Sequence, residues 1–86
     1  MACVYVLYSK STDRLYTGSS RQDDPLSRLR SHNAGKTRST KNGRPWAVIY
    51  REKFSDYITA RKRELFLKSG QGRKLIIGKL KNVLHS

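Results

Sequence analysis

The chain has one cysteine, Cys3. An internal disulfide and thiolate-rich metal clusters are therefore excluded. No apolar run approaches the ~20 residues that a membrane-spanning helix requires. The opening stretch from Met1 to Tyr8 has neither a basic n-region nor a small-residue cleavage site, so no signal peptide is expected and a reducing cytoplasm is the expected setting. Repeats and linkers are missing, and 86 residues suit one small domain. Acidic residues number only six, so each carboxylate can be weighed individually.

Positive charge is abundant. Nineteen Lys and Arg against six Asp and Glu give a net charge of +13, and the expected partner is a polyanion. A hydrophobic content of 36% suffices for one modest core, so the chain is not read as disordered. Thirteen of the basic residues cluster in four places: Arg28 and Arg30; Lys36, Arg38, Lys41 and Arg44; Arg61, Lys62 and Arg63; and Arg73, Lys74, Lys79 and Lys81. The segment Gly35 to Arg44 holds four of them among Gly, Ser, Thr and Asn and reads as a loop that clamps phosphates, with Arg73 and Lys74 as further contacts. The plain alternative is a solvated basic surface.

Residues 2 to 9 alternate Cys3, Tyr5 and Leu7 with Val4, Val6 and Tyr8, which predicts a strand with two apolar faces in the middle of a sheet. A polar turn follows, then a second strand through Leu15-Tyr16-Thr17 that Gly18 ends. Asp24 as N-cap and Pro25 at the first helical position open a helix that Gly35 stops. Trp46 to Tyr50 form a third strand, dissolving into Arg51-Glu52-Lys53. Ser55 or Asp56 caps a second helix to about Lys68, and Ser69-Gly70-Gln71-Gly72 ends it. A short helix is expected around Leu75 to Leu80. The β-β-α-β-α-α order predicts an α+β fold with a small, mostly antiparallel sheet flanked by helices.

Asp13, Asp23, Asp24, Asp56 and Glu52 all fall in turns, at helix starts or at a polar strand end. Glu64 instead interrupts a partly apolar helical arc with Tyr57, Ala60 and Leu67. Its alternative is a surface ion pair with Lys68 at i+4 or Arg61 at i−3. Arg28 and His32 stand four apart and share a helix face, although a histidine near a helix C-terminus is also explained by the dipole alone. Tyr5 and Tyr16 come from adjacent strands, where packing alone explains most tyrosines.

The order Val4-Tyr5-Val6, Tyr16-Thr17-Gly18, Arg28 with His32, then Glu64 in a helix resembles the GIY-YIG endonuclease superfamily. His32-Asn33-Ala34-Gly35-Lys36, Gly43-Arg44-Pro45-Trp46 and Lys68-Ser69-Gly70 are similar to its short single-domain YhbQ-like branch. Together the motifs cover residues 3 to about 75. The resemblance implies a three-stranded antiparallel sheet and a metal-dependent phosphodiesterase site. Tyr5 and Tyr16 would line that site, Arg28 would bind the scissile phosphate, and His32 would transfer a proton or contact phosphate. Glu64 would hold a divalent cation, Mg2+ or Mn2+. A guanidinium and a cation on opposite sides of the phosphoryl oxygens suit the charge that develops there, and one carboxylate is enough for hydrated Mg2+. A phenol is a poor base unless positive charge lowers its pKa, as Arg28, the cation and nearby lysines would. The proton acceptor is left between the phenols and the imidazole.

Two positions depart from the family pattern. Cys3 stands where the first triplet normally begins with Gly, and Arg73 to Ile77 lack an Asn that many members carry. No separate DNA-binding domain of the kind larger relatives carry is expected. The expected activity is DNA endonuclease, with single-stranded or branched DNA favoured over duplex because a basic loop, Trp46 and the tyrosines offer stacking and phosphate contacts. The rivals are a non-catalytic nucleic-acid-binding module on the same scaffold and a cationic protein that binds RNA.

Overall fold

The computed structural model describes residues 1–22, 25–36 and 38–85. Ala2–Ser9 form β1, Arg14–Ser20 form β2 and Trp46–Phe54 form β3. The sheet order is β2-β1-β3, with β1 antiparallel to both neighbours. Three helices accompany it: α1 (Leu26–Asn33), α2 (Tyr57–Lys68) and α3 (Gly70–His85). This is the expected α+β architecture.

The central position of β1 follows from its side chains, because period-2 alternation with apolar residues on both sides requires cover on both sides. Val4 and Val6 pack with Ala60, Leu67 and Ile76 in one core. Cys3, Tyr5 and Leu7 pack with Trp46 in the other, against Leu29 of α1.

The outer strands run further than the sequence suggests. β2 continues through Gly18 to Ser20, and β3 continues through Arg51-Glu52-Lys53 to Phe54, because the start of β1 pairs on both sides: Cys3 with Ser20 and Ala2 with Phe54. Ladder hydrogen bonds outweigh the weak strand preference of glycine and charged residues here. The Glu52 carboxylate also accepts from Arg63 Nε of α2 at 2.9 Å, which gives that polar strand end a partner.

Helix ends differ in detail. Pro25 sits one place earlier than expected, as the residue before α1, and its carbonyl accepts from Leu29 N at 2.8 Å. The expected cap Asp24, with Asp23, lies outside the described residues. Of the two candidate caps for α2, Asp56 is the one used: its carboxylate accepts from Thr59 N at 2.7 Å. The last helix is longer than Leu75 to Leu80 and starts directly at Gly70. Gly72 is no stop signal. A Cβ there would run into the backbone of Phe66 and Leu67, so glycine lets α3 cross closely over the end of α2.

The segment after Gly35, expected as a plain loop, contains a 3-10 turn over Arg38–Gly43. It is tied to Trp46, whose indole Nε1 donates to the Thr40 carbonyl at 2.7 Å. Asn33 closes the same corner, accepting from Trp46 N at 2.6 Å and donating to Trp46 O at 3.2 Å. Gly35, at φ +78, turns the chain out of α1 as the expected stop.

Candidate active site

Gly18 faces Tyr5 across the β1–β2 pair. A Cβ at Gly18 would lie 2.7 Å from the Tyr5 hydroxyl and 2.8 Å from Cζ. The missing side chain therefore leaves room for the Tyr5 phenol to extend over β2 to the sheet edge. Tyr16, two residues earlier on the same face, reaches the same edge. Ser19 points to the opposite face, where its hydroxyl donates to Glu64 Oε1. From α1, Arg28 and His32 approach from the Tyr5 side, one helical turn apart. The result is a hollow of about 310 Å³ at the β2 edge, lined by Tyr5, Tyr16, Arg28, His32 and Glu64. Gly18, Ser19, Ser31, Tyr57 and Arg61 complete its wall.

Glu64 is 3% exposed. Oε1 accepts from Arg61 at 2.8 Å as well as from Ser19, and Oε2 accepts from Lys68 at 2.7 Å. Both i−3 and i+4 ion pairs thus form, yet around a buried carboxylate rather than on a surface. Burial pushes its pKa up, but hydrogen bonds from Lys68, Ser19 and Arg61 outweigh burial and hold it below the usual carboxylate value.

His32 is also buried, at 3%. Its Nδ1 lies 2.8 Å from Thr40 Oγ1 and its Nε2 lies 3.4 Å from the Tyr5 hydroxyl. Burial and the nearby Arg28 charge lower its pKa, so the imidazole is neutral. The Tyr5 phenol moves the other way: burial first, then the neighbouring Tyr16, push its pKa well above the ordinary value, and Arg28 opposes this with a smaller effect. The expectation that surrounding positive charge would lower this phenol is therefore reversed among the chain's own groups. A protonated Tyr5 can donate to Nε2, which assigns the Nδ1 proton to Thr40. The Tyr16 ring packs against His32 at a tilt of 59°, with 4.7 Å between centroids.

All five residues expected to carry chemistry line this one hollow. The expected phosphate contacts lie elsewhere. Lys41 and Arg44 border a separate hollow with Asn33 and Pro45. Lys36 and Lys74 are exposed, Arg73 borders a hollow next to the site, and the Arg38 side chain lies outside the described residues. Ser19, Ser31, Tyr57 and Arg61 were not anticipated as lining residues. Period-2 alternation along β2 marks Ser19 as facing away from Tyr16 and Gly18, towards the side α2 covers; nothing comparable marks Ser31. Among the described residues α3 contributes nothing to the wall, in keeping with the missing Asn.

Comparison with protein-family models matches residues 1–76 to the GIY-YIG catalytic domain. The chain belongs to the GIY-YIG family. No curated protein and no solved structure matched it. GIY-YIG membership brings a nuclease-type fold and nucleic-acid binding. Nucleases of the GIY-YIG family typically use divalent metals. Among the described residues no three His, Cys, Asp or Glu side chains gather as a dense ligand set. The donors present fit a largely hydrated hard cation: one carboxylate with a serine hydroxyl beside it. Arg61 and Lys68 now hold that carboxylate, and their side chains, 51% and 48% exposed, have open solvent into which to withdraw.

Proposed function

We propose that the protein is a divalent-cation-dependent DNA endonuclease of the short YhbQ-like branch, cutting single-stranded or branched DNA in the cytoplasm. The observation that carries this reading is the convergence of Tyr5, Tyr16, Arg28, His32 and Glu64 on one hollow. The branch assignment draws on Asn33 and Trp46, which join two of the motifs quoted for it through paired hydrogen bonds.

Arg28 binds the scissile phosphate and offsets the charge that grows on its oxygens. Glu64 and Ser19 hold the cation, Mg2+ or Mn2+, which when bound supplies Lewis-acid polarisation of the phosphate and of water. Tyr5 is protonated and His32 neutral, so the Tyr5 hydroxyl can take a proton from the attacking water while passing its own to His32 Nε2. Thr40 fixes the imidazole through Nδ1. Water oxygen bonds to phosphorus, the bond to the 3′ oxygen breaks with its electron pair going to that oxygen, which takes a proton from solvent water, and the products are a 5′-phosphate and a 3′-hydroxyl. Tyr16 holds His32 from its other side.

The test is nicking of plasmid and of labelled single-stranded and branched oligonucleotides, with Mg2+ or with chelator. Glu64→Gln keeps the shape of the side chain and removes its charge, and is expected to reduce cleavage about 10²–10³-fold while retaining DNA binding. Unchanged cleavage in that variant overturns the cation assignment. Binding without cleavage under any cation supports the non-catalytic module instead.

A further inference from the structure

The site does not end at Tyr16. Tyr16 also lines a second hollow of about 210 Å³, together with Leu15, Thr17, Leu67, Ile76, Lys68 and Arg73. Leu15 and Arg73 in turn border a third hollow of about 450 Å³, with Arg14, Tyr8 and Ile77. Shared lining residues, Tyr16 and then Leu15 and Arg73, set the three in a trough that starts at Glu64 and follows β2, one of the two edge strands of the sheet.

Charge along the trough is suited to a polyanion. Arg14 and Arg73 are exposed, and their side chains have no hydrogen-bond or ion-pair partner among the described residues. Arg61 and Lys68, by contrast, are engaged by Glu64, and Arg63 by Glu52. The carboxylate at the far end, Asp13, accepts from the Tyr8 hydroxyl at 2.8 Å. The 35–44 segment is a weaker competitor, because its hollow shares no lining residue with the site and Arg44 Nε already donates to the Lys41 carbonyl at 2.9 Å. Uncommitted guanidinium groups along a groove that leads away from the site are the pattern that takes a strand's phosphates.

We propose that the bound nucleic-acid strand runs from the candidate site along this trough. The phosphates that follow the bond being cut are held by Arg73 and Arg14. This rests on the reading of the hollow as the place where a strand is cut, and adds the direction in which that strand leaves it.

The probe is a short labelled single-stranded oligonucleotide, titrated by fluorescence anisotropy over a range of salt concentrations. Arg14→Ala/Arg73→Ala is compared with Arg51→Ala/Lys53→Ala, which removes the same charge from β3; circular dichroism confirms that both fold. The trough variant is expected to bind roughly tenfold more weakly, with a log–log salt slope shallower by about 1.4 for two lost single-strand phosphate contacts. The β3 variant is expected to retain the wild-type slope. Equal losses in the two variants, or an unchanged slope in the trough variant, overturn the proposed path while leaving the cleavage site standing. Failure of the wild-type protein to bind any strand overturns both.

Discussion

At the scale of single residues, Gly18 governs the reach of Tyr5. Gly18→Ala would put a methyl group 2.7 Å from the phenol oxygen and 3.2 Å from a Tyr16 ring carbon, and the buried Tyr5 has little room to yield. Overpacking of this kind costs about 1–3 kcal/mol, measurable by urea denaturation, and cleavage should fall with it. Adding Tyr5→Phe to Gly18→Ala removes the closest atom, so stability should partly return while cleavage stays low. The titrating groups give a second prediction. His32 is held below its unfolded-state pKa by burial and Arg28, and Glu64 below its own by partners that outweigh burial. For a group with a depressed folded-state pKa, the stabilisation is present above the unfolded value and lost as pH falls through the folded value. Thermal stability should therefore decline on acidification from about pH 6.5 downward through His32, and again below the usual carboxylate range through Glu64. His32→Gln should flatten the first decline in a melting-temperature series and leave the second.

At the scale of elements, Asn33 connects α1 to β3. Asn33→Ala leaves the Trp46 N–H and C=O without these partners, a loss of about 1–3 kcal/mol that should lower Tm and shift the fluorescence of the chain's single tryptophan. Strand β1, the hairpin and α2 were legible because their signals are local: two-faced alternation in Cys3 to Tyr8, a polar turn, and Asp56 ahead of a helical pattern. The extents of β2 and α3 were less legible because Gly18 and Gly72 were read as breaks, and that of β3 because Arg51-Glu52-Lys53 was read as a polar end. Gly18 and Gly72 are instead places where another part of the chain comes close, and that depends on tertiary neighbours. The gathering of Tyr5, Tyr16, Arg28, His32 and Glu64 could be expected only from their joint order. Ser31 and Tyr57 became visible once α1 and α2 were set against the sheet. The direction of the Tyr5 pKa was misjudged for the same reason: positive charge shows in a sequence, whereas the depth of burial that outweighs it does not.

At the scale of the whole molecule, +13 charges on 86 residues predict strong salt dependence. Single-strand affinity should fall log-linearly with salt at about −0.7 per phosphate contacted, and competition by heparin should mirror it. Charge alone would spread binding over the surface, so the cleavage pattern on defined branched substrates is the sharper readout of the edge site. That site takes Tyr5 and Tyr16 from one side of the sheet and Glu64 from the other, with each side packed on its own core. A chain emerging from the ribosome with α2 still unmade has the phenols and the guanidinium but no carboxylate to set against them. An intermediate that has lost either layer likewise lacks the full set, so under the proposed function cutting is confined to molecules that have finished folding, and the cell's nucleic acids are spared a half-made nuclease.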